Sequence, residues 1–174
     1  DHVSSAFREA VAEAIRSQQQ ARKKFEEYSE REEMTFLRDQ PGCLLLQAVR
    51  SGDPELVLGA LLTHPHLDMN CSYEPFATSA MTAAADSGNI LILQRIMRHG
   101  GDINAHGPCG EAPLHKAIIA FDVEAVEMIL AQPDTDPRRT DIMTDTPEQV
   151  LSNFLSRPPT PEHEKSAQTI KRLL

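Results

Sequence analysis

The sequence predicts an all-α fold: repeated helix-turn-helix units forming a solenoid with hairpin turns, preceded by one long amphipathic helix. Three observations predict it. A 33-residue shift of the chain against itself lays Ala112-Pro113-Leu114-His115-Lys116-Ala117 on Ser79-Ala80-Met81-Thr82-Ala83-Ala84, as expected of a repeated structural unit. Each block is followed by a second apolar run with the i, i+3, i+4 recurrence of a helix that buries one stripe. Upstream, residues 3 to 37 contain neither Gly nor Pro and are rich in Ala, Glu, Arg, Gln and Lys, which favour helix.

Residues 1–40 form a segment of their own, ahead of a repeat domain over 41–174. In that segment Phe7, Val11, Ala14, Gln18, Ala21, Phe25 and Tyr28 follow a 4, 3, 4, 3 spacing that makes one narrow seam. A helix from Val3 to about Leu37 would run roughly 50 Å, at about 1.5 Å per residue. Two readings are open. The seam caps the first repeat by covering Leu44 to Leu46, since end repeats require a cover. Alternatively it packs against another protein or forms a homodimer through residues 7–28, with the charged stretch from Ala21 to Glu33 overhanging the cap.

Four units follow, over 43–78, 79–111, 112–145 and 146–174. In the first, Ser51-Gly52-Asp53-Pro54 separates two helices: Gly ends one, Asp caps the next and Pro takes its first position. The second helices read Leu56, Val57, Ala60, Leu61, then Ile90, Leu91, Leu93, Ile96, Met97, then Val123, Val126, Ile129, Leu130. Polar, turn-rich stretches close each unit. Helices of about ten residues cannot each enclose a core, so neighbouring units must stack. In the fourth unit the second helix is displaced by Ser156 to Lys165 and resumes with Ala167, Ile170, Leu173 and Leu174. That last pair reads as a core seam, which implies an array continuing past Leu174, and the start at Asp1 implies native sequence before it.

Over residues 43–174 this grammar resembles the ankyrin repeat. The third unit carries the resemblance in Pro113, Leu114, His115 and Ala117, the second in Gly88 and Gly101-Asp102-Ile103-Asn104. Phe121 and Leu155 depart from it where the family places Gly, and Glu148 where it places Leu. The resemblance implies that Pro113 starts a helix and that His115 hydrogen-bonds across neighbouring hairpins. It further implies a protein partner held on a concave face made by the first helices, with the turn tips beside it. On that mapping the groove is lined by Gln47, Arg50 and Ser51, then Ala83, Asp86 and Ser87, then Lys116, Ile119 and Ala120, then Val150, Asn153 and Phe154.

The groove so mapped starts polar, with Arg50, Asp86 and Lys116, and becomes apolar. Ile119, Phe121, Val150 and Phe154 are expected to form a contiguous patch of the kind that marks a partner site, unless residues 156–165 or the last helix fold over it. The turn after the first repeat is three residues longer than the period and carries Tyr73 and Phe76, two of eight aromatic residues. These are either exposed anchors or packing between hairpins. The expected partner is therefore another protein, basic or offering an apolar anchor. Asn70 and Asn104 end a shared phrase, with an aliphatic residue eight positions earlier and Asp-Met or Asp-Ile directly before. The phrase is similar to those modified by 2-oxoglutarate-dependent asparagine hydroxylases, and Asn70, in the longer loop, is expected to be the better substrate. The alternative is a structural turn role for both.

Composition agrees with a helical interaction module. The chain is 40% apolar but only 5% aromatic, which suits a stack of small-residue helices. Its formal charge of −9 is uneven: seven Lys or Arg face nine Asp or Glu over residues 1–40, and ten face seventeen thereafter. An acidic stack disfavours a nucleic-acid phosphate backbone as partner. No run approaches the roughly 18 apolar residues of a membrane span, so membrane insertion is not expected. Cys43, Cys71 and Cys109 are an odd, unpaired set, which predicts a reducing compartment, cytoplasmic or nuclear. That reading sets aside the acceptor triplet Asn70-Cys71-Ser72. No cofactor and no catalysis are expected: His106 and Cys109 supply only two metal donors of the four needed, Asp134, Asp136, Asp141 and Asp145 lack the Gly and Glu of a calcium loop, and neither a phosphate cradle nor a nucleophile elbow is present.

Overall fold

The computed structural model describes residues 2–31, 40–70, 78–156 and 160–174. Their regular structure is helical: α1 (His2–Ser29), α2 (Pro41–Arg50), α3 (Pro54–Thr63), α4 (Ala80–Asp86), α5 (Ile90–Arg98), α6 (Pro113–Ile119), α7 (Val123–Leu130), α8 (Pro147–Leu155) and α9 (Pro161–Leu173). The chain divides into two compact units, residues 1–67 and 68–174.

The first unit contains α1, α2 and α3. The α3 sequence, PELVLGALLT, is apolar nearly all round, and such a helix needs cover on more than one side. It packs against α2 and also against α1. The covering half of α1 is its second half, where Ala21, Phe25 and Tyr28 are buried. Gly59 makes this approach feasible, because a Cβ there would collide with the Ala21 carbonyl oxygen and lie 2.5 Å from Phe25 Cβ. Lys24 fastens the contact, with its Nζ 2.7 Å from Asp53 and 2.8 Å from Glu55. Asp53 is itself the cap of α3, its Oδ1 accepting from the N–H groups of Glu55 and Leu56. Those hydrogen bonds to Asp53 and Glu55 hold Lys24 above its ordinary pKa.

Two expectations are corrected here. The main contact of α1 is with α3, not the Leu44–Leu46 face, because α3 has apolar surface that α2 alone leaves uncovered. The stretch expected to overhang, from Ala21 onward, is the part that packs. Of the seam expected to offer a homodimer surface over residues 7–28, Ala21, Phe25 and Tyr28 are buried within the chain, while Phe7 and Val11 are exposed. Residues 32–39, which the expected helix included, lie outside the described residues.

The second unit contains three helix hairpins, α4–α5, α6–α7 and α8–α9. Their first helices stack in the order α4, α6, α8, and α7 packs against both α5 and α9. Met81, Ile92, Leu93, Ile96, Leu114, Ile118, Ile129, Leu151 and Ile170 are fully buried between them. Pro113, Pro147 and Pro161 open three of the helices at the first position, where a missing N–H costs nothing. Ser79, Asn89, Asp122, Thr146 and Thr160 cap five of them with side-chain oxygens. The last helix buries Ala167 and Ile170 as expected, but leaves Leu173 and Leu174 exposed. It starts at Pro161, inside the segment read as a displaced loop.

The turns are tied together in a ladder. Asp68, Asp102 and Asp136 each accept from the N–H two residues on, at 2.9, 2.8 and 3.0 Å. Asn70 Oδ1 accepts from the Asp102 N–H at 2.8 Å, and Asn104 Oδ1 from the Asp136 N–H at 2.9 Å. Asn104 Nδ2 also donates to the Asp134 carbonyl at 2.6 Å. Arg138 stands at the next place in the series.

Candidate partner-binding surface

The helix starts of the second unit solve one problem in three ways. At the third helical position stand Thr82, His115 and Gln149. Ser79 Oγ accepts from the Thr82 N–H at 3.1 Å. Thr146 Oγ1 accepts from the Gln149 N–H, while Gln149 Oε1 accepts from the Thr146 N–H, a reciprocal box. Ala112 has no side-chain acceptor, so only the return half exists: its N–H donates to His115 Nδ1 at 3.1 Å. That bond fixes the proton of the neutral ring on Nε2, which donates to the Asp145 carbonyl of the next repeat at 3.1 Å. The expected bridge by His115 across neighbouring hairpins is present, and the residue is fully buried.

Beside it lies a charged cluster that the sequence only half disclosed. Lys116 Nζ is 2.8 Å from Glu111 Oε1 and 3.7 Å from Asp86 Oδ1. Glu111 is buried, and its Oε2 accepts from the Cys109 N–H at 2.7 Å. Burial pushes the Glu111 carboxyl up, but the Lys116 hydrogen bond and backbone donors outweigh it and leave the pKa below its ordinary value. Burial pulls Lys116 down, and the Glu111 hydrogen bond with the nearby Asp86 charge more than reverses this. Glu111 therefore stabilises the fold above its unfolded pKa of 4.5, a contribution lost as pH falls through its lowered folded value. Lys116 and Asp86, both expected partner contacts, are thus brought together, with Asp86 the more exposed.

The expected apolar patch is partly covered. Phe121 takes the place of a turn glycine and adopts its left-handed conformation, φ 53°, as Gly88 does at φ 64° one repeat earlier. A bulky residue there costs about 1–2 kcal/mol. Its ring stacks on the His163 imidazole at 4.7 Å and 8°, and meets Phe154 edge-on at 6.1 Å. The residue that folds over the patch is thus His163, from the first turn of α9. Val150 is buried and is withdrawn from the exposed set, because it faces the interior side of α8. Ile119 and Phe154 remain exposed. Arg50 is exposed at the end of α2, in the other unit. Tyr73 and Phe76 lie outside the described residues, as does Cys71.

Sequence reasoning missed the turn tip at residues 141–145. Ile142 and Met143 are 65% and 73% exposed there. Asp141 Oδ1 organises the tip by accepting from the Met143 and Asp145 N–H groups, and the Ile142 N–H donates to the Cys109 carbonyl of the preceding hairpin at 3.1 Å. Thr144, at φ 66°, matches Gly110, at φ 72°, in the hairpin before it. The available signal was two large apolar residues standing alone between Asp141 and Asp145 in a stretch read only as polar turn.

His106, which with Cys109 makes the pair of metal donors noted in the sequence, faces the guanidinium of Arg139, a charge that opposes a cation. Among the described residues no three His, Cys, Asp or Glu converge as metal ligands, and no helix is long and apolar enough to cross a membrane. A family model described as ankyrin repeats, in three copies, matches residues 45–141. No curated protein sequence matches the chain.

Proposed function

The chain belongs to the ankyrin-repeat family, whose members are generally protein-protein interaction modules without catalytic activity, and we propose that its second unit binds a partner protein through first-helix side chains and the 141–145 turn tip. The observation that carries this is the pair of exposed apolar residues on that tip, Ile142 and Met143. A tip held by Asp141 and by the preceding hairpin presents them at little ordering cost, which favours binding. Ile119 and Phe154 supply further apolar surface on α6 and α8, with Asp86 and Lys116 as the polar contacts. Over residues 41–174 acidic side chains outnumber basic ones, seventeen to ten, and this favours a segment that combines basic residues with an apolar anchor. On this reading the repeat domain spans 41–174, the setting is cytoplasmic or nuclear, and Arg50, Tyr73 and Phe76 play a secondary part.

Peptide selection from a displayed library tests it. The protein should enrich sequences pairing basic residues with a large apolar one, and Met143→Asp with Ile119→Asp should lose them while helical circular dichroism and melting hold. Phe121→Asp is unsuitable as a probe, because its ring contacts with His163 and Phe154 make it partly structural. Equal enrichment by the double variant overturns the surface assignment.

A further inference from the structure

The first half of α1 carries a second, independent surface. Phe7, Val11 and Ile15 are 70%, 42% and 50% exposed, and they form a row of i, i+4, i+8 positions on one side of the helix. The adjoining row is Ala6, Ala10 and Ala14, all exposed. Together the two rows make an uninterrupted apolar face about half the circumference wide, given about 3.6 residues per turn. Arg8, Glu9, Glu13 and Arg16 fall outside it and sum to no net charge.

We infer that this face binds the same face of a second copy of the chain, antiparallel, with Val11 nearest the two-fold axis. Three features select that occupant. The face continues, along the same helix, the one on which α3 is packed at Ala21, Phe25 and Tyr28; a helix is therefore the shape it already accepts. The alanine row lets a second backbone approach closely, and the same row on the partner answers it, so the surface matches itself as a two-fold contact requires. Its own local charge is balanced, so two copies meet here without the repulsion that a net charge of −9 would otherwise bring.

Antiparallel orientation follows from α3. That helix lies along the second half of the same face, fastened by Lys24 to Asp53 and Glu55. A parallel partner would carry its own α3 toward this one. An antiparallel partner ends its first turns where α3 begins and places its remaining residues at the opposite end. Phe7 of one copy then lies opposite Ile15 of the other. Three large apolar residues per copy bury a few hundred Å² a side, at or below the lower bound of stable interfaces, which makes the dimer reversible. The inference draws on the first unit alone, so the partner surface on the repeats stands or falls separately.

Sedimentation equilibrium of the full chain, from about 1 µM to about 500 µM to span a weak interface, should show a monomer-dimer equilibrium. Val11→Glu should weaken it on the order of a hundredfold, with melting unchanged because Val11 is exposed. Ala10→Leu should also weaken it, by blocking close approach; if it strengthens association, the contact is unspecific adhesion and the proposal fails. With Cys71 and Cys109 replaced by Ser, Phe7→Cys copies mixed with Ile15→Cys copies should form a disulfide that neither forms alone. Bridges between two Phe7→Cys copies overturn the antiparallel geometry. A chain that stays monomeric throughout, or whose fold is destabilised by Val11→Glu, overturns the dimer.

Discussion

The helix pairs α4–α5 and α6–α7 share one frame, and three of the positions at which they differ bear on how it is used. Thr82 becomes His115, Ala83 becomes Lys116, and Gly88 becomes Phe121. In the earlier pair the side chains are small: the Thr82 hydroxyl bonds Ser79 Oγ and the Ala105 carbonyl, Ala83 offers a half-buried methyl, and Gly88 stands where φ is positive. In the later pair each takes on a further contact, to Asp145 in the next hairpin, to Glu111 and Asp86, and to His163 of α9. The difference teaches that the repeat frame fixes which backbone group must be satisfied, while the identity of the residue that does so is free to reach outward.

Three pairs of substitutions probe this contrast, in decreasing order of effect. His115→Ala should destabilise by about 3 kcal/mol, since it leaves the Ala112 N–H and Asp145 carbonyl without their partner in a buried site. Thr82→Ala should cost about 1 kcal/mol, the ordinary worth of a lost hydrogen bond, since its hydroxyl bonds Ser79 Oγ and the Ala105 carbonyl while the Ser79 cap survives. Urea unfolding of both variants checks the ratio, and equal losses would mean that the outward bond adds nothing.

The turn asparagines come next. Asn104 makes two bonds to the following turn, Asn70 one among the described residues. Asn104→Ala is expected to cost about 2 kcal/mol and Asn70→Ala about 1, scaled by the bonds lost. The same difference bears on hydroxylation, which requires the turn to open. Asn70 is the more exposed of the two, and is proposed as the preferred substrate. In protein isolated from a eukaryotic cytosol, mass spectrometry should find added oxygen at Asn70 before Asn104; the reverse order would overturn that ranking.

The smallest effect is expected at the helix end. Phe121→Gly relieves about 1 kcal/mol of left-handed strain and forfeits ring contacts worth about as much, so its net change should stay within about 1 kcal/mol. Gly88→Ala meets nothing within 4 Å, and should still cost about 1 kcal/mol through strain alone. Thermal melts separate the two cases. A large loss at Phe121 would show that its stack with His163 holds α9 in place.

Much of the fold was legible because its signals are local. Asp53 before Pro54 and Pro113 before Leu114 each report on a few adjacent residues, and the 33-residue offset repeats such short blocks along the chain; the structure shows them as caps and hairpins. What stayed hidden depends on where an element's partner stops. The seam from Phe7 to Tyr28 is continuous in sequence, and nothing in its spacing says that α3 reaches only its second half. Val150 and Phe154 both fit a groove mapping, but one is buried and the other exposed, a difference set by the rotation of α8. Asn70 and Asn104 suggested short-range turn bonds, whereas their acceptors serve N–H groups 32 residues away. His163 was hidden for another reason: a Pro-rich stretch reads as loop, and here Pro161 begins a helix.

Gly59 sets the terms on which α1 belongs to the folded body at all. A single methyl group at that position has no room beside the Ala21 carbonyl and Phe25 Cβ, so α1 and α3 must move apart to admit it. A helix about 40 Å long, at roughly 1.5 Å per residue, thus takes its seat from one hydrogen at residue 59, and with it the position of Phe7, Val11 and Ile15.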